Sequence, residues 1–144
     1  MKRIVVAFAA LALAACTAMP QKPVVQNETL YQSLGGRHGV ERLVDAAVRR
    51  LFDDRRINAF FTGSNPDESS RLIAEHICEL SGGGCAYTFR TKDATHSGMS
   101  LSDADFEAFI EDFIVAMNEV KVPVDAQRQV LQLFVALRPQ IIGQ

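Results

Sequence analysis

Residues 95–117 read Thr95-His96-Ser97-Gly98-Met99-Ser100-Leu101-Ser102-Asp103-Ala104-Asp105-Phe106-Glu107-Ala108-Phe109-Ile110-Glu111-Asp112-Phe113-Ile114-Val115-Ala116-Met117. Ser102 has the character of an N-cap, with Asp105 three positions on in a capping-box-like start. Phe106, Phe109, Ile110, Phe113, Ile114 and Met117 then recur at helical spacing, which predicts a helix with one strongly apolar face. His96 stands just ahead of it, at the end of what reads as a short irregular segment, with Gly98 offering a sharp exit. A histidine in this place is either a surface imidazole near a helix end or the one protein ligand of a flat apolar cofactor. Spacing alone does not choose between them.

The flanking sequence has the same helical period. Thr29 to Leu34 predicts a short helix closed by Gly35-Gly36. Val40, Leu43, Val44, Ala47, Val48 and Leu51 give a second apolar face, and Asp53 to Phe61 reads as a connecting helix ending in Ala59-Phe60-Phe61. Asn65-Pro66 marks a fresh helix start, with Leu72, Ile73, His76, Ile77 and Leu80 on its apolar face before Ser81-Gly82-Gly83-Gly84 stops it. Pro123 opens a last helix whose buried face should hold Ala126, Val130, Phe134 and Leu137, and Pro139 ends or kinks it. No segment alternates at period 2, so the expected fold class is all-α.

The first residues read as targeting rather than fold. Lys2 and Arg3 precede an apolar run, Ile4 to Ala15, that is too short to span a bilayer. It closes in Leu13-Ala14-Ala15-Cys16, which looks like a bacterial lipoprotein signal with Cys16 as the lipidated residue; the alternative is an ordinary secretory signal with a chance cysteine. Several acyl chains, at about 0.8 kcal/mol per buried CH₂, anchor a protein without a transmembrane helix. Thr17 follows the cysteine where an Asp would suggest inner-membrane retention, so the expected location is the outer membrane, facing the periplasm. Residues 1–15 are thus the expected signal, 16–27 a lipidated tether, and 28–144 one domain. Without Lys2 and Arg3 the chain carries 13 basic and 17 acidic side chains, a net charge of −4, with no basic run. No nucleic-acid partner is expected.

Three histidines can carry chemistry. His38 sits in a polar turn and should be solvated. His76 lies on an apolar helical face, where a histidine is either a hydrogen-bonded core residue or a ligand. None falls in a His-x-x-x-His pattern, which disfavours a zinc site on a helix. Cys78 and Cys85 flank the glycine turn; they are either bridged, worth about 2–3 kcal/mol for so short a loop, or two buried thiols. A Cys-x-x-Cys-His attachment sequence is absent, so any haem is held non-covalently. Eight phenylalanines and no tryptophan populate residues 28–144. Phe60, Phe61, Phe106, Phe109 and Phe113 either flank a flat pocket or are plain core.

Four motifs in order break the ambiguity. Leu30-Tyr31-Gln32-Ser33-Leu34-Gly35-Gly36 is followed by Asp54-Arg55-Arg56-Ile57-Asn58-Ala59-Phe60-Phe61. Then come Ile77-Cys78 with Gly82-Gly83-Gly84-Cys85-Ala86-Tyr87-Thr88, and Ala94-Thr95-His96-Ser97-Gly98-Met99-Ser100-Leu101 leading into Asp105-Phe106. In this the chain resembles the group 1 truncated haemoglobins, the two-over-two globins, from Leu30 to Ile142. The resemblance implies a helical sandwich around a haem pocket, with non-covalent haem b as cofactor. It implies His96 as proximal iron ligand, and Phe61, Phe106 and Phe109 as haem contacts. Leu72 and His76 fall on the distal helix, and Arg90 near a propionate.

The departures bear on function. The family's tyrosine on the second helix, a donor to bound dioxygen, falls on Val48, which donates nothing. The usual distal glutamine falls on Leu72, while His76 matches a glutamine place in some relatives. Phe89 and Lys92 replace a Gly and a Met typical of the loop before the proximal histidine. The expected activity is reversible binding of dioxygen or another diatomic gas. One alternative is a six-coordinate haem, with His76 as second ligand, for electron transfer, redox or gas sensing. Another is a haem-free interaction lipoprotein. Nitric-oxide or peroxide chemistry would need an electron donor that the chain does not contain.

Overall fold

Among the described residues, 28–89 and 91–144 (backbone alone at 92 and 93), the computed structural model forms six α-helices and no strand. They are α1 Leu30–Ser33, α2 Gly36–Asp53, α3 Pro66–Leu80, α4 Lys92–His96, α5 Asp103–Glu119 and α6 Val124–Leu137, with 3₁₀ turns at Asn58–Phe61 and Arg138–Gln140. The signal, the tether and the Cys16 lipidation site lie outside the described residues, as does Arg90.

Local chemistry sets the helix starts. Thr29 and Gln32 cap each other reciprocally at α1, and Ser102 and Asp105 do the same at α5. At α3 the Asn65 side chain accepts from the Glu68 N–H at 3.1 Å, Pro66 fills a first-turn position, and Asp67 and Glu68 place negative charge against the positive end of the helix dipole. Between α1 and α2 the chain reverses through Gly35 at φ +89°, a left-handed conformation that a Cβ would strain.

Helix α2 is the axle. Val40, Leu43, Val44, Ala47, Val48 and Leu51 are at most 3 % exposed. The helix packs on α3 and on α5, and α5 packs in turn on α6. In the second layer Phe113 is fully buried, with the Phe109 ring 4.7 Å and the Phe134 ring 4.8 Å away. Charged clamps close the α2–α5 seam: Arg49 and Arg50 reach Glu119 at 3.3 and 2.7 Å, and Arg56 joins Asp54 to Glu111.

Three expectations are corrected. Residues 53–61 are not one helix: α2 ends at Asp53, and the Asp54 carboxylate accepts from the Arg56 N–H at 2.9 Å, building a turn that competes with helix. The chain before His96 is not irregular, because Thr91 accepts from the Ala94 N–H and caps α4, of which His96 is the last residue. Leu137 is half-buried rather than buried; α6 stops there, and Pro139 lies in the 3₁₀ turn beyond.

Asp112 sits on α5 beside the α2 seam with its Oδ2 buried and unpaired. Burial, reinforced by repulsion from Asp54, pushes its carboxyl above the ordinary value, against the pull of Arg56 and Arg50. A carboxyl raised in the folded state favours folding when protonated, and that contribution is lost as pH rises through its folded pKa. Asp112→Asn is therefore expected to raise the melting temperature by a few degrees at pH 7. The gain should shrink towards zero as pH falls below about 4, the unfolded carboxyl value. Thermal unfolding across that pH range checks both the sign and the window.

Candidate functional site

Helix α3 buries Ile77 and Cys78 against the core but leaves Leu72, Ile73, His76 and Leu80 half-buried. The His76 Nε2 is closed off from solvent. Beyond α3 the chain runs without helix from Ser81 to Phe89, and covalent and polar tethers shape it. Cys78 and Cys85 form a disulfide with their Cα atoms 5.7 Å apart. Gly83 passes so close beneath it that a Cβ there would lie 2.5 Å from the Cys78 sulfur and 2.6 Å from the Tyr31 ring. Two residues past the bridge, the Tyr87 N–H donates to the Glu79 carboxylate at 3.2 Å, and its ring packs on the His76 ring with centroids 4.7 Å apart. The Tyr87 side chain is half-buried. Its pKa is pushed up chiefly by burial, with Glu75 and Glu79 acting in the same sense against Thr95.

His96 closes α4 and is half-buried. Its carbonyl accepts from the Met99 N–H at 3.1 Å, and Gly98 turns the chain at φ +78°. The C-terminal residues brace the exit: the Ser100 N–H donates to the Gln144 carbonyl, the Gly143 N–H to the Leu101 carbonyl, and Arg138 pairs with Asp103 at 2.6 Å. Helix α4 closely pairs with no other described element.

The phenylalanines divide into two sets. Phe61, half-buried in the 3₁₀ turn, packs on Phe52 of α2 at 5.1 Å. Phe109, also half-buried, touches Phe106, Phe113 and Phe134. Phe106 is 5 % exposed and carries the Arg138 guanidinium 5.7 Å over its ring, so much of it is core. His38 is exposed, its Nδ1 3.5 Å from Glu41. The structure thus brings His76 to Tyr87. No ring contact joins the Phe61 pair to the Phe109 set among the described residues. Sequence reasoning passed over Tyr87 and Phe52 as site residues. An aromatic in an aperiodic segment gives no periodic signal; its closeness to a bridged cysteine was the one available hint.

Residues 29–142 match the family model described as bacterial-like globin. The chain belongs to this family. Among similar proteins is the group 1 truncated hemoglobin of Tetrahymena pyriformis, 23 % identical over 116 residues that make up 81 % of this chain and 96 % of the relative. A group 1 truncated hemoglobin GlbN of Nostoc commune is 28 % identical over 80 residues, 56 % of this chain and 68 % of the relative. The crystal structure of the Tetrahymena pyriformis protein in its Fe(III) form superposes with a TM-score of 0.77, covering 81 % of this globin and 99 % of that chain. A group II truncated hemoglobin of Bacillus anthracis gives 0.75 at 19 % identity, covering 83 % and 94 %. The two structures speak for the fold.

Globins hold haem iron through a proximal histidine, and the residues present fit that group. The donor set is an imidazole at a helix end. Elsewhere on α2, α3, α5 and the 3₁₀ turn the large apolar side chains Phe52, Phe61, Leu72, Ile73, Phe109, Ile110 and Ile114 stay half-buried, although neighbours on the same helices are nearly fully buried. That is apolar surface the chain alone does not cover. The open clefts differ in chemistry. One of about 370 Å³ between α2 and α3 is lined by Arg37, Glu41, Asp45, Arg71 and Glu75, and one of about 410 Å³ between α2 and α5 by Arg49, Arg50, Asp53, Asp112 and Glu119. Charged rims of that kind suit no flat apolar ligand.

The disulfide ties the aperiodic segment to α3. Cys85→Ser is expected to lower the free energy of unfolding by about 2 kcal/mol in the chain-entropy model. Dithiothreitol should bring the wild type to the same value and leave the variant unchanged in urea titrations.

Proposed function

We propose that this globin holds haem b through His96, binds dioxygen or another diatomic gas reversibly, and is anchored in the outer membrane, facing the periplasm, through lipidated Cys16. The observation that supports the haem site best is the half-buried apolar surface left on α3, the 3₁₀ turn and α5, together with a short helix that ends in a half-buried histidine. When bound, the haem iron supplies the gas-binding chemistry, which no side chain offers.

The chain's own residues supply the rest. His96, as a neutral imidazole, offers the lone pair that fixes the group. Phe61 and Phe109 would pack against the bound group, and Leu72 and the buried Val48 would help keep water out of the pocket. Val48, at 3 % exposure, has no hydroxyl to donate, so hydrogen bonding to the ligand falls to His76. The Tyr87 ring packs on His76 and would restrain it from acting as a second iron ligand. An oxidising compartment agrees with the Cys78–Cys85 bridge. For the anchor the support is the basic start, the short apolar run and Leu13-Ala14-Ala15-Cys16; no described helix is long and apolar enough to cross a membrane. Any redox turnover would draw on an external electron donor.

Haem titration of the wild-type chain, His96→Ala and His76→Leu tests the ligand. Stable haem uptake should fail only in His96→Ala and return on adding free imidazole; equal uptake by all three would sink the assignment. For the anchor, labelled palmitate should enter the wild type and not Cys16→Ala.

A further inference from the structure

Both residues of the Cys78–Cys85 bridge line the open cleft of about 370 Å³ between α2 and α3. The two ends of the bridge differ in access. Cys78 is 4 % exposed, and Gly83 passes so close to its sulfur that a Cβ there would lie 2.5 Å away. Cys85 belongs to the aperiodic segment and is half-buried. Access to one of its sulfurs is what lets a folded disulfide exchange with an outside thiol, and here that sulfur is Cys85. The rim of the cleft is charged unevenly. Arg37 and Arg71 stand against Glu41, Asp45, Asp67 and Glu75, two cations against four carboxylates, a net charge of −2. Arg37 pairs with Glu41, and Arg71 with Glu68 and Glu75. Asp45 and Asp67 are exposed, and no ion pair among the described residues takes them up.

We propose that the Cys78–Cys85 bridge is a thiol-exchange site, reached through this cleft and selective for thiols that carry a positive charge close to the sulfur. The incoming thiolate attacks the Cys85 sulfur. A new S–S bond forms there, the Cys78–Cys85 bond breaks, and Cys78 leaves as a thiolate that takes a proton from water. A second thiol then attacks the mixed disulfide and releases Cys85 as a thiol. In balance, two thiols are oxidised to one disulfide and the bridge is reduced to two cysteines. During the attack one negative charge spreads over three sulfurs. The surplus carboxylates of the rim oppose that charge unless the attacker brings its own cation. The acidic rim thus shields the bridge from anionic thiols and leaves it open to cationic ones. None of this rests on the haem reading.

The test uses the purified full chain in non-ionic detergent, with cysteamine, mercaptoethanol and mercaptoethanesulfonate as cationic, neutral and anionic probes. Acid quenching, alkylation and peptide mass spectrometry follow the mixed disulfide. Each rate is divided by that of the same thiol on a neutral small disulfide. At low ionic strength cysteamine should outpace mercaptoethanesulfonate roughly tenfold, with mercaptoethanol between them. In about 1 M salt, where the Debye length is about 3 Å, the spread should fall to about twofold. Asp45→Lys, an exposed change, should narrow it roughly threefold without added salt. Equal normalised rates for the three probes, or a spread that neither salt nor Asp45→Lys reduces, overturns the selectivity. The first adduct should sit on Cys85; an adduct chiefly on Cys78 overturns the direction of attack. A rate that climbs steeply with urea below the unfolding transition shows exchange only through unfolding, and overturns access through the cleft.

Discussion

Burial of α2 between α3 and α5 is the constraint on which the rest of the domain depends. Leu43, Val44, Ala47 and Leu51 are wholly enclosed, and fully burying one such aliphatic side chain is worth about 1.5–3 kcal/mol. With α2 taken up on both sides, α3 leaves Leu72 and Ile73, and α5 leaves Phe109, Ile110 and Ile114, only half-buried. Helix α4 is too short to cover them. A domain of this size has no spare element, so a flat apolar group is the natural completion, and the half-buried Leu72, Ile73, Phe61 and Phe109 are the surface it would meet.

Charge plays a smaller part. The Arg49/Arg50–Glu119 and Asp54–Arg56–Glu111 clamps lie at the solvent edge of the α2–α5 seam, where water and salt screen an exposed pair and its net contribution is small. Their geometry matters more than their energy: Arg56 holds the turn that ends α2 and thereby sends the chain into the 3₁₀ turn bearing Phe61. Asp112, half-buried in the same seam with its Oδ2 unpaired, shows that charge placement there is not optimised for stability.

Where residues act through periodicity, the fold was legible. The apolar faces of α2, α5 and the first three turns of α6, and the helix starts at Asn65-Pro66 and Ser102, follow from side-chain spacing and local capping. The turn at Asp54 was not, because its carboxylate outcompetes a pattern that still looks helical. Nor was the capped α4, whose five residues are too few to show a period. The site was legible only in part: spacing left His96 and His76 as open alternatives, and the family motifs singled out His96. Tyr87 escaped both, since its contacts join chain segments that no local pattern relates.

The distal side concentrates the functional question in one hydrogen-bond donor. A net hydrogen bond of about 0.5–1.5 kcal/mol changes a ligand's affinity by roughly 2- to 13-fold. With Val48 and Leu72 apolar, His76 is the side chain among these three able to give it. Its orientation is coupled to Tyr87, and Tyr87 is rooted two residues from a disulfide. A chain exported in reduced form would close that bridge only after translocation, where thiols are oxidised. On the proposed export, the bridge would fix the segment that carries Tyr87 only after translocation.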